Sequence, residues 1–220
     1  MPPTAEELSL LDTDTVLGRA AERLAGKYTG VFNAETIERV VHESYVALYR
    51  TASIQRHLPA LAEHFAGDRL AALAHAKGAI VSPVPQVLFL CVANAGRSQM
   101  AAALLAHHAA GTVAVRSAGS HPAADVETPV AAAMAELGLD LNQAYPKPLT
   151  DDVVRAADVV VTMGCGDACP VLPGKRYHDW AIDDPAGRSP AEVRRIRDDI
   201  DTRVRALLAE LVDQHAGAIA

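Results

Sequence analysis

A cysteine, an arginine and a serine stand at positions 91, 97 and 98 in "LFLCVANAGRSQMA", residues 88–101. Five residues separate Cys91 from Arg97, and Ser98 follows directly. Those residue types at that interval suit nucleophilic attack on a tetrahedral oxyanion. A free thiol, with a pKa of about 8.5, is mostly protonated near neutrality, whereas a helix N-terminus or an adjacent cation lowers it towards the reactive thiolate. Arg97 offers a planar fork that grips two oxygens at once, which a lysine ammonium does not. Ser98 is placed to donate a hydrogen bond to the sulfur, and Asn94 tolerates the left-handed backbone of a tight loop. Small residues dominate the run Val92, Ala93, Asn94, Ala95, Gly96, so several backbone N–H groups can turn inward as an anion-binding nest and, with Arg97, bind the substrate. Taken alone, a cysteine ending an apolar strand reads as a core thiol, because free cysteine is among the most buried residue types. Arg97 and Ser98 at this spacing favour the nucleophile.

For such a nest a strand must deliver Cys91 and a helix must begin near Arg97. "QVLFLCV" (86–92) is a continuous apolar strand and "RSQMAAALLAHHAA" a helix. Beyond them "TVAVRSAGS", "ADVVVTMG" and "KRYHDWAI" read as strands, with "TPVAAAMAELGL" and the long "SPAEVRRIRDDIDTRVRALLAELVDQ" as helices. Apolar strands alternating with helices imply an α/β fold, a four-stranded parallel sheet flanked by helices. Ligands bind such sheets beyond the carboxyl ends of the strands, where Cys91 falls. Residues 1–80 carry helical signals alone: "NAETIERVVHESYVALYRTA" starts at Asn33 as an N-cap and sets Ile37, Val40, Val41, Ser44, Tyr45 and Leu48 at helical spacing. Runs on either side repeat the period, and Gly30 and Gly78 sit where helices would stop. The expected organisation is a small all-α three-helix bundle over 1–80, a linker at 81–86 marked by two prolines, and the α/β domain over 87–220.

The chain has 220 residues, half of them hydrophobic, and a net charge of −7. That balance argues against nucleic-acid binding, which needs a cationic field to displace counterions. The N-terminus lacks a secretory signature, and no run approaches the ~20 apolar residues of a membrane span. A cytoplasmic protein is expected, with no membrane association. There its three cysteines are candidates for reactivity rather than a structural framework.

The segment "VLFLCVANAGRSQMA" resembles the active-site loop of the low-molecular-weight protein tyrosine phosphatase superfamily, and its Arg-Ser-Gln-Met-Ala ending is similar to the arsenate reductase branch. The resemblance covers residues 86 to about 213 and implies a phosphatase I-like fold. In "DWAIDDPAGRS", Asp184 before Pro185 matches the family's general acid, with Asp183 as its neighbour; by itself Asp-Pro-Ala-Gly is a turn sequence. A phosphatase needs only water after attack, whereas a reductase must supply two electrons. Cys165 and Cys169 in "VTMGCGDACPVLPG" lie beyond the strand "ADVVVTM", and their spacing permits a disulfide if the loop bends. They resemble the redox pair of thioredoxin-coupled arsenate reductases, at a shorter interval than in familiar members. The resemblance implies a relay in which Cys91 takes arsenate, Cys165 attacks Cys91, and Cys169 passes the disulfide to thioredoxin without glutathione. It implies no tightly bound cofactor.

Alternatives stand beside this reading. Two inert loop thiols, or a zinc site, are other uses of Cys165 and Cys169. Zinc would need about four ligands, and only His178 and Asp179 lie near, so no metal is expected. Mycothiol with mycoredoxin is the alternative donor: 16 of the 20 basic residues are Arg, which fits a GC-rich genome where that thiol could occur. A phosphotyrosine phosphatase is the alternative activity, and a non-catalytic oxyanion sensor the third. No Tyr or Trp follows Pro185, where related phosphatases carry an aromatic that stacks on phosphotyrosine, and that favours a small inorganic substrate. Ala102 replaces a glutamate that helps bind potassium in familiar relatives, so no such ion is expected.

The first eighty residues hold eight Lys or Arg against ten Asp or Glu, a charge of −2, which argues against a helix-turn-helix reader of DNA. They resemble a three-helix module found ahead of phosphatase-like domains. Oligomerisation or docking is the expected role, with any surplus apolar stripe serving a homodimer. His42, His57, His64 and His75 read as surface or rim residues, and His107 and His108 as the polar face of a helix. His121 is expected to border the pocket, and Trp180 to pack beneath the aspartate loop.

Overall fold

The computed structural model describes residues 5–51, 57–80, 82–164 and 171–219. It divides into two compact units, Met1–Val81 and Ser82–Ala220. The first holds α1 (Ala5–Lys27), α2 (Ala34–Tyr49) and α3 (Leu58–Ala76). Asn33 caps α2 by accepting from Thr36 N at 2.9 Å, which satisfies one of the orphan donors of the first turn. Leu17, Leu24, Ile37, Val40, Val41, Leu48, Phe65 and Leu70 form the buried interior of this unit. Ser44 lies in the apolar stripe and is buried, yet it has a partner: Arg69 of α3 donates to its Oγ at 3.2 Å and to Glu43 Oε2 at 2.9 Å.

The second unit holds β1 (Gln86–Cys91), α4 (Arg97–Ala109), β2 (Ala114–Gly119), α5 (Thr128–Ala135), α6 (Asp151–Ala156), β3 (Val159–Met163), β4 (Arg176–Asp179) and α7 (Pro190–Ile219). The four strands form one sheet in the order β2-β1-β3-β4, with every pairing parallel. The fold class expected from the strand pattern is therefore the observed one. All six residues of β1 are buried, as a central strand covered on both faces requires. Cys91 lies opposite Gly119 on one side and Met163 on the other. Because the strand order reverses at β1, the crevice beyond β1 and β3 is the place where such a sheet binds ligands.

One element is added to the sequence reading and one local reading changes. Helix α6 spans six residues, less than two turns, too few for a periodic signature to stand out in the sequence. His108 is not on a free polar face: it is half-buried and hydrogen-bonded to Asp201 of α7. Trp180 sits beside Phe89 of β1 with ring centroids 5.8 Å apart, and buried Ile182 of the aspartate loop belongs to the same core.

Helix α7 closes the domain through buried Arg197, which donates to the Ala133 carbonyl at 2.7 Å and lies 3.2 Å from Glu136 Oε2. Replacing Arg197 by Met strands that buried carbonyl, so Arg197→Met should lower the unfolding free energy by about 2 kcal/mol. Urea denaturation followed by circular dichroism measures this, and a midpoint equal to that of the parent chain would contradict it.

Candidate active site

The loop from Cys91 to Arg97 takes its shape from the carbonyls it ties outward. Cys91 O accepts from Ser120 N (3.2 Å), Val92 O from His121 N (2.9 Å), Ala93 O from Ala123 N (2.9 Å), and Ala95 O from Glu127 N (3.0 Å). Asn94 O accepts from Gln99 Nε2 at 3.0 Å. In a planar trans peptide the N–H points opposite to the C=O, so each outward carbonyl turns the next amide inward. Asn94 N illustrates this by donating to Cys91 Sγ at 3.2 Å. Residues Val92, Ala93, Asn94, Ala95 and Gly96 therefore form a ring of donors over the sulfur, and the N-terminus of α4 adds its positive end. Asn94 adopts φ +47°, the left-handed turn expected of it.

Cys91 is buried, and its sulfur lies 3.0 Å from Ser98 Oγ. The direction of that bond follows from the network behind it. Lys147 N can only donate, so the Asn94 side-chain atom 2.8 Å away is the oxygen, and the amide nitrogen must face Ser98 Oγ at 2.7 Å. Ser98 already accepts from Asn94, which leaves its hydroxyl proton to point at the sulfur. Gln99, also buried, braces the arrangement by donating to Asn94 Oδ1 (3.1 Å) and to Tyr145 O (3.0 Å). Such a network sets two hydrogen-bond donors, Ser98 Oγ and Asn94 N, on the Cys91 sulfur.

Arg97 lies across the mouth. Its Nη2 donates to Asp184 Oδ2 at 2.6 Å, and the guanidinium is largely buried while the Asp184 carboxylate is 55% exposed. The structure separates the two aspartates: Asp184 meets Arg97, whereas Asp183 turns towards Arg195 of α7 at 3.6 Å. Asp184 Oδ1 accepts from Ala186 N at 3.1 Å, a turn that fixes the carboxylate. Gly96 is obligatory here, since a Cβ would lie 2.7 Å from Pro185 Cγ. Gly164, at φ +76°, is packed just as closely, since its Cβ would lie 2.8 Å from Arg97 Nη1. Cys165 and Cys169 lie outside the described residues, but the residue before Cys165 thus rests on the guanidinium.

Glu127 was not legible as part of this site in the sequence. It is half-buried, and its Oε1 lies 3.4 Å from where a Gly96 Cβ would be. Burial pushes its carboxyl up, the charge of Asp184 adds to that, and Arg97 pulls the other way. His121 is exposed and joins the loop through its backbone.

Residues 86–216 match the low molecular weight phosphotyrosine protein phosphatases, and residues 17–74 match the N-terminal domain of protein-tyrosine-phosphatase-like proteins. The chain belongs to the low molecular weight phosphotyrosine protein phosphatase family. A putative arsenate reductase of Halobacterium salinarum is 39% identical over 127 residues, covering 56% of this chain and 89% of that protein. A thioredoxin-dependent arsenate reductase of Corynebacterium glutamicum is 54% identical with a TM-score of 0.83, over 91% of this chain and 98% of its own. The YwlE arginine phosphatase from Geobacillus stearothermophilus shares 25% identity and a TM-score of 0.54, over 60% of this chain and 96% of its own. The family expected from the cysteine loop is thus the family found, and the N-terminal helices have a matching domain of their own.

Asn94→Ala removes the donor to Ser98, strips Lys147 N of its acceptor and forces alanine into a left-handed backbone; it should cost about 2–3 kcal/mol. Ser98→Ala should cost less, yet slow alkylation of Cys91 near neutrality by about tenfold. Iodoacetamide labelling resolved by peptide mass spectrometry follows Cys91 apart from the other two thiols. Unchanged labelling in Ser98→Ala would mean that the hydroxyl does not serve the sulfur.

Proposed function

We propose that the protein reduces arsenate to arsenite, with Cys91 as the nucleophile. The observation that carries this reading is the Cys91 sulfur, held by Ser98 and Asn94 N beneath a ring of inward amides, with Arg97 and Asp184 meeting across the opening. Its likeness to a thioredoxin-dependent arsenate reductase over 91% of the chain supports the same choice.

Arsenate settles among the amides of 92–97, with Arg97 on two of its oxygens. Cys91 attacks arsenic; a sulfur–arsenic bond forms as one hydroxyl of the arsenate leaves, taking a proton from Asp184 and departing as water. For Asp184 to act, its carboxyl must release Arg97, and the incoming oxyanion supplies the competing acceptor. Cys165 then attacks the Cys91 sulfur. The Cys91–Cys165 disulfide forms, the sulfur–arsenic electron pair passes to arsenic, and arsenite leaves. Cys169 next attacks Cys165, freeing Cys91 and moving the disulfide to the 165–169 loop, where thioredoxin reduces it. Gly164 against Arg97 supports this geometry, since it roots the loop beside the oxyanion site. Mycothiol with mycoredoxin is the alternative donor. Glutathione has no part in the relay.

The same thiol and acid would hydrolyse a phosphate monoester, and the likeness to an arginine phosphatase favours testing that second reading. The purified chain with thioredoxin, thioredoxin reductase and NADPH should turn over arsenate. Cys91→Ser should be inactive, and Cys169→Ser should release about one arsenite per chain and stop. Hydrolysis of an aryl phosphate without arsenite production would support the phosphatase instead, and sustained turnover by Cys169→Ser would refute the relay.

Residues 1–80 are proposed to serve oligomerisation or docking, as a homodimer or towards the electron donor. Removing them should alter the sedimenting mass or the KM for thioredoxin, and a truncated chain unchanged in both would exclude that role. A cytoplasmic site is proposed for the enzyme; among the described residues no helix is long and apolar enough to cross a membrane.

A further inference from the structure

Two segments converge on Gly96. Pro185, which follows Asp184, would lie 2.7 Å from a Cβ at that glycine, and Glu127 Oε1 would lie 3.4 Å from it. Glu127 is fastened to the loop by its own backbone, whose N–H donates to Ala95 O at 3.0 Å. It holds the N-cap position of α5, yet its side chain makes no capping hydrogen bond, unlike Asn33 at α2. Among the described residues its carboxylate forms no ion pair. A half-buried carboxylate that neither caps its helix nor forms an ion pair thus stands beside Gly96 without a structural task.

The charges around it set its effect. Arg97 from the start of α4 and Asp184 from the aspartate loop act on Glu127 directly, with the Cys91 thiol at the floor of the same loop. Asp183 faces away towards Arg195. One guanidinium therefore answers to two carboxylates before any substrate arrives. A dianion in the amide ring is attracted by Arg97 and repelled by whichever carboxylates are ionised.

We propose that Glu127 is a positioning residue whose charge gates the oxyanion site, weakening the hold of Arg97 on a dianion when ionised and leaving it intact when protonated. The gate rests on the function proposed above only in needing an oxyanion in the loop. Because burial and Asp184 favour the protonated form, the gate is open on the acidic side and closes as pH rises through the titration of Glu127. The device would let a small inorganic oxyanion enter while disfavouring an anionic group that carries further negative charge to the rim.

Glu127→Gln removes the charge and keeps the shape; Glu127→Asp keeps the charge. Inorganic phosphate is the probe, its Kd read from protection of Cys91 against iodoacetamide between pH 5 and pH 8.5. Taking the ratio of parent to variant removes the titration shared by both chains, and repeating it with sulfate, a dianion throughout this range, removes the dependence of the repulsion on phosphate charge. For Glu127→Gln that ratio should be smallest at pH 5 and rise to about three- to tenfold tighter binding by the variant at pH 8.5. Glu127→Asp should keep the dependence of the parent. A ratio independent of pH, or weaker binding by Glu127→Gln at high pH, would overturn the proposal. The outcome is separable from the reductase reading: a chain that makes no arsenite but shows the phosphate gate retains this inference, and one that makes arsenite with no gate loses it alone.

Discussion

Everything at this site depends on where five carbonyls point. The backbone of Cys91, Val92, Ala93 and Ala95 is tied outward by amides of the segment 120–127, and that of Asn94 by Gln99. Released from those partners, the peptide units of a loop rich in small residues would be free to rotate, and any carbonyl turned inward would present negative charge to an oxyanion. The tethers make the ring of donors a fixed feature that needs no reorganisation when charge arrives. They exist because β2 pairs in parallel with β1 and its chain continues alongside the loop beyond Gly119. That glycine is bare for the same reason: a Cβ there would lie 2.6 Å from Val92 O and 2.9 Å from Asn94 N.

The second constraint is that one guanidinium serves several masters. Arg97 contacts Asp184, lies near the Ile182 carbonyl, and packs on the backbone of Gly164. The aspartate loop and the beginning of the cysteine-bearing segment thus meet on one side chain. In the proposed reaction, oxyanion capture, protonation of the departing oxygen and delivery of the second thiol would be three demands on the space around it. A lysine would hold the charge there without satisfying several flat contacts at once. Glu127 and Asp184 share this cation unequally, since Asp184 is paired with it directly and Glu127 feels it from a partly desolvated position.

The sulfur is served by a separate chain of hydrogen bonds, and its direction is set from a distance. The Lys147 amide fixes the orientation of the Asn94 side chain, which fixes the acceptor face of Ser98, which turns the Ser98 proton towards Cys91. Gln99 holds the same asparagine from the other side. A single backbone donor 53 residues downstream in the sequence thereby governs which atom faces the nucleophile.

Much of this was written in short-range order. The apolar run of β1, the small residues of 92–96, and Cys91, Arg97 and Ser98 at their intervals determine a strand, a nest and a helix start, because backbone preference and side-chain reach act over a few residues. The parallel sheet followed from alternating apolar strands and helices, and the left-handed Asn94 from the tightness of the loop. The resemblance singled out Asp184 of the pair, but the physical reason came only from tertiary packing, which draws Asp183 to α7 and leaves Asp184 on Arg97. The half-buried, paired state of His108 came from the approach of α7, and the short α6 had too little length to announce itself. Glu127 carried no local signal at all. Its place beside Gly96 arises from long-range backbone bonds between the loop and the segment before α5, and electrostatic coupling depends on distance in space, which no spacing along the chain encodes.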